Sequence, residues 1–192
     1  MSFEPPPNPE KVLRYSFAYA PPLMIEAAVR LGVFDALVDG PRTAEDLARQ
    51  FGANHRGLKI LLNGLVGIEL LTKPHAGHYA LTPEADAFLV GGRPTYMGGF
   101  FRHTSSQLIP RWLGLTEIVR TGKPATAVNE ETEGATFFEQ FVEDIFPLSR
   151  QAALGFADKI GLPNATSPVS VLDVGAGSGV GGVSLAVKSP QV

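Results

Sequence analysis

Asp173, Gly175, Ala176, Gly177, Ser178 and Gly179 fall in one uninterrupted run, Val171-Leu172-Asp173-Val174-Gly175-Ala176-Gly177-Ser178-Gly179. Their types and spacing suit the binding of a small charged ligand. Glycine tolerates a positive φ and leaves the backbone bare, so a ligand can approach closely. A carboxylate two residues ahead of the first glycine can accept hydrogen bonds from an ammonium group. Val180 to Lys188 reads as the start of a helix, whose first amides lack partners inside the helix and suit a carboxylate or phosphate. Ahead of the loop, Val169-Ser170-Val171-Leu172-Asp173-Val174 is a β-branched apolar run of strand length, bounded by a proline-containing linker and by glycine. Strand, glycine turn and helix make one half of a doubly wound cofactor-binding fold.

Spacing by itself leaves three readings open. Gly177, Gly179 and Gly182 satisfy the G-x-G-x-x-G pattern of dinucleotide binding, which would make the chain part of an oxidoreductase. An ordinary strand-to-helix turn with no ligand is the second. The third is S-adenosylmethionine, favoured by two details. Asp173 can receive the cofactor's ammonium group, directly or through water, whereas beside a pyrophosphate the same charge would repel. The extra Gly175 extends the pattern to D-x-G-x-G-x-G.

The elements that must position this loop lie upstream. Four prolines in residues 1–10 read as an extended N-terminal arm. Val12, Leu13 and Phe17, then Leu23, Met24, Ala27, Ala28 and Leu31, recur at helical spacing, and Pro21-Pro22 should divide them into two helices. Their apolar residues cover more than one stripe, as in helices buried on two sides, in their own core or against a second subunit. Thr43 with Asp46 and then Asn54 read as the caps of two further helices, the second carrying Leu58, Leu62 and Leu65. Leu70 to Thr72 and His78 to Leu81 read as a short hairpin, and Thr82-Pro83-Glu84 as the next helix start. Helix, short helix, helix and hairpin is the order of a winged helix. Helix is expected again from about Ser105 or Leu108 to Gly122, loop from Lys123 to Gly134, and helix from Thr136 to Ile160.

The 192 residues suffice for one compact domain, or a small one and part of another. With 44% hydrophobic and 18% charged residues, there is enough apolar material for a core, which excludes a disordered chain. Without cysteine there are no disulfides, thiolate metal ligands or cysteine nucleophiles. The net charge of −3 gives no basic excess for a polyanion. With neither a secretory signal nor a membrane-length apolar run, a cytoplasmic location and no membrane partner are expected.

Residues Val171 to Gly179 resemble the first cofactor motif of class I methyltransferases. Leu115-Thr116-Glu117-Ile118-Val119-Arg120-Thr121-Gly122-Lys123-Pro124 and Tyr79-Ala80-Leu81-Thr82-Pro83 are similar to segments of one branch, the O-methyltransferases of hydroxylated aromatic and polyketide-like metabolites. The resemblance implies a mainly α fold: a winged-helix dimerisation domain at residues 11–92, a helical linker at 93–168, and the opening strand, loop and helix of a Rossmann-like α/β domain at 169–192. It implies S-adenosylmethionine as cofactor, bound at Asp173, Gly175, Ala176, Gly177, Ser178 and Gly179. The partners it implies are a second copy, met through the N-terminal helices, and a small-molecule acceptor. Compared with this family the chain reads as ending after the first cofactor motif. No catalytic residue is therefore assigned, and activity of the chain alone is not expected.

Other residues carry weaker signals. His75 and His78, three apart in the hairpin, lack further ligands for a metal and read as turn histidines. Phe100, Phe101, His103, Trp112, Phe137, Phe138 and Phe141 could line an acceptor pocket or simply pack helices. Arg93 and Arg102 read as solvated. A winged helix could also read DNA as a transcriptional regulator. Between Thr43 and Thr72, however, Arg49, Arg56 and Lys59 are balanced by Glu45, Asp46 and Glu69. Affinity for DNA comes largely from neutralised phosphates, so no nucleic-acid partner is expected.

Overall fold

The computed structural model describes the backbone of residues 8–124 and 131–192, and the side chains of those residues except 131–140. Two compact units meet in the sequence at Asp86 and Ala87.

In the first unit, α1 (Glu10–Ser16) precedes α2 (Ala20–Leu31), which carries Pro21 and Pro22 in its first turn, where their missing amides cost nothing. Glu10, expected within the N-terminal arm, is already helical; residues 1–7 of that expected arm lie outside the described residues. A short α3 (Val33–Ala36) leads to β1 (Arg42–Thr43), a strand absent from the sequence reading. Then come α4 (Ala44–Phe51), α5 (His55–Gly67), β2 (Leu71–Thr72) and β3 (His78–Leu81). Both expected caps form: Thr43 Oγ1 accepts the Asp46 amide at 3.1 Å, and Asn54 Oδ1 accepts the Gly57 amide at 3.0 Å. The three strands are antiparallel in the order β1-β3-β2, with Arg42 opposite Tyr79 and Leu71 opposite Leu81. Ile25, Phe34, Leu47, Leu58, Leu62, Leu65 and Leu71 are buried at the apolar positions of the helices and hairpin. Gly64 explains one close approach. A Cβ there would stand 2.7 Å from Met24 Sδ, so the bare α5 at that point leaves room for the Met24 side chain of α2. Tyr79, also buried, donates its hydroxyl to Asn63 Oδ1 at 2.8 Å.

α6 (Pro83–Leu89) carries the chain from the first unit into the second, and Thr82 Oγ1 accepts the Ala85 amide at its start. α7 (Gly98–His103) begins earlier than the sequence suggested and continues through a wider π-helical segment, Thr104–Leu108, into α8 (Ile109–Trp112). Gly98-Gly99 is a poor helix start by propensity. Packing reverses that preference: a Cβ on Gly99 would lie 2.8 Å from Asp144 Oδ1 and 3.2 Å from its Cα. In the wider segment, Thr104 Oγ1 bonds back to the Phe100 carbonyl and Ser106 Oγ to that of Arg102.

α9 (Leu115–Thr121) stops at Gly122, whose φ is 67°. α10 (Glu131–Lys159) starts five residues before the expected Thr136. Its polar opening, Glu131-Thr132-Glu133, resembled loop by composition, yet acids are favoured near the positive end of a helix. Pro147 lies inside α10 without ending it. A 3₁₀ turn at Leu162–Asn164 follows, and α11 (Val180–Lys188) completes the unit. Ala157, Leu162 and Leu185 form a small core there, with Ala165 and Val169 against it. Lys188 Nζ reaches both carboxylate oxygens of Asp158, at 2.7 and 2.8 Å, tying α11 to α10.

The expected strand at 169–174 does not form. Among the described residues that segment has one interstrand-like bond, from the Val169 amide to the Gln191 carbonyl at 2.8 Å, and no strand beside it. Leu172 and Val174 are 87% and 84% exposed. A strand exists only through its partner's ladder, so β-propensity without a neighbour leaves an extended, unpaired segment. No helix among the described residues is long and apolar enough to cross a membrane.

Candidate functional site

The glycine loop folds as a bare, tightly turned cradle. Gly175, Gly177 and Gly179 have φ of 73°, 55° and 71°, a region that side chains disfavour. A Cβ on Gly175 or Gly179 would meet nothing within 4 Å, while one on Gly177 would lie 3.9 Å from Val142 Cγ2 on α10. The Ala176 carbonyl accepts the Gly179 amide at 2.8 Å, closing the turn, and Ser178 Oγ lies 3.4 Å from the Val180 amide at the mouth of α11. Asp173 folds back over the loop, where its Oδ2 accepts the Gly182 amide at 3.0 Å. The structure thus gathers all six residues read from the sequence into one feature, although the strand expected to deliver Asp173 is not formed.

Beside the loop, α10 and α11 enclose a cavity of about 100 Å³ lined by Phe146, Arg150, Leu154, Ser178, Val180 and their neighbours on α11. Sequence reasoning missed Arg150. The available signal was its spacing, four residues from Phe146 and from Leu154, which puts all three on one helix stripe.

These features fit the amino-acid end of S-adenosylmethionine. The exposed Asp173 has Oδ1 available beside the bare turn for an ammonium group, and the first amides of α11 favour negative charge.

A second cluster joins α7 to α10. The Arg102 guanidinium donates to Asp144 Oδ1, which corrects the sequence reading of Arg102 as merely solvated. The Asp144 side chain is almost fully buried, and its Oδ2 has no hydrogen-bond partner among the described residues. Hydrogen bonding to Asp144 raises the Arg102 pKa. His103, 2% exposed, packs against Phe141 with ring centroids 5.0 Å apart. Burial lowers its pKa, and this outweighs the opposing pull of the Asp144 carboxylate. Phe100 and Phe101 meet edge to face at 6.1 Å. Trp112 is 64% exposed. The side chains of Phe137 and Phe138 lie outside the described residues. Sequence reasoning also missed Asp144, an acid three residues after Phe141 on α10.

Residues 13–91 match the family model of the O-methyltransferase dimerisation domain. The chain is 31% identical over 172 residues to a 3-hydroxy-5-methyl-1-naphthoate 3-O-methyltransferase of Streptomyces sahachiroi, covering 88% of this chain and 49% of that protein. It is 33% identical over 133 residues to the N,N-dimethyltransferase OxyT of Streptomyces rimosus, covering 69% and 38%. The chain spans about half the length, or less, of these relatives. Human N-acetylserotonin methyltransferase, solved in complex with S-adenosylmethionine, shares the fold with a TM-score of 0.77 at 20% identity, over 99% of this chain and 59% of that one. Residues 13–91 therefore carry the O-methyltransferase dimerisation domain, and the chain is similar over most of its length to methyltransferases.

Proposed function

We propose that the chain works within an S-adenosylmethionine-dependent O-methyltransferase of a small hydroxylated acceptor, aromatic or polyketide-like. The glycine loop carries this reading, with Asp173 hydrogen-bonded across it to the first turn of α11. Asp173 takes the ammonium group, and Gly175, Ala176, Gly177, Ser178 and Gly179 give bare backbone to the methionine portion. When bound, S-adenosylmethionine supplies the electrophilic methyl group. The residues of this chain hold it in place, and position supplies much of the acceleration in such transfers.

Residues 11–92 act in this reading as a winged-helix dimerisation domain, with α4, α5 and the β2-β3 hairpin as its helices and wing. Residues 93–168 are a helical linker, and 169–192 open the cofactor domain. The exposed apolar residues of α1 and its flank, among them Val12, Leu13, Tyr15 and Phe17, suit a surface covered by a second copy. With Val171, Leu172 and Val174 unpaired, the chain is expected to dimerise but not to turn over by itself. The naphthoate enzyme favours an aromatic hydroxyl acceptor, although OxyT shows that a nitrogen acceptor occurs among the relatives.

Calorimetric titration tests the cofactor reading. Saturable binding of S-adenosylmethionine, with no binding of nicotinamide dinucleotides, is the expected result. The reverse selectivity would overturn it.

A further inference from the structure

We draw no further inference here: the strongest candidate, the Asp144 carboxylate buried between α7 and α10 with Oδ2 lacking a hydrogen-bond partner among the described residues, carries nothing, because its side chain is only 1% exposed and nothing in the structure shows what could reach it.

Discussion

Asp173 Oδ2 accepts the amide of Gly182 at 3.0 Å, tying the carboxylate ahead of the glycine loop to the first turn of the helix behind it. The contact needs a bare helix start. A Cβ on Gly181 would stand 2.9 Å from the same oxygen. The negative charge lies where the α11 dipole favours it and where an ammonium group entering the loop would meet it.

Removing this carboxylate should weaken cofactor binding without unfolding the unit. Asp173→Ala is expected to lower S-adenosylmethionine affinity by about 1.5–3 kcal/mol, the worth of a hydrogen bond to a charged group. Gly181→Ala should lower it as well by displacing Asp173, and the double variant should be no worse than Asp173→Ala alone. Calorimetry on the three proteins checks this, and strictly additive losses would show that Gly181 acts independently of the acid.

The Arg102–Asp144 pair makes a prediction about stability. Arg102→Ala strands a buried carboxylate and should cost about 2–3 kcal/mol, below the full value for a buried pair because half of Arg102 is exposed. Asp144→Asn removes the buried charge, and Arg102 can turn to water, so it should cost only about 1 kcal/mol. Urea unfolding gives the order, and an equal or larger loss for Asp144→Asn would contradict the argument.

His103 should make stability depend on pH. Its folded pKa is lowered by burial, so the unfolded chain takes up a proton more readily. The stability it contributes is complete above its ordinary value of 6.5 and declines as pH falls from there toward the lowered folded value. Between pH 7.5 and 5.5 the wild-type melting temperature should drop further than that of His103→Gln. Parallel melting curves would mean that this histidine is not the titrating group.

Self-association through the N-terminal helices is the remaining prediction. Val12 and Phe17 are 71% and 69% exposed, and Leu13 lies beside them. Light scattering at micromolar concentration should find a dimer, and Leu13→Asp should shift it toward monomer by placing charge in the apolar contact. A wild-type chain that remains monomeric would show that another element covers this face.

What the sequence determined by itself is local. The caps at Thr43, Asn54 and Thr82 form where a short polar side chain precedes a helix, because donor and acceptor lie within three residues of each other. The loop at Gly175 to Gly179 turns as its glycines permit, and α11 begins directly behind it. Only the tertiary structure decided the rest, where energies depend on residues far apart in the chain. Arg102 and Asp144 meet across 42 positions, and that contact, with the close approach at Gly99, accompanies a helix at Gly98 that propensity argued against. Burial of His103 against Phe141 comes from the same packing. Val169 to Val174 shows the converse: its residues favour a strand, but a strand needs a neighbour's hydrogen bonds, and no local preference supplies them.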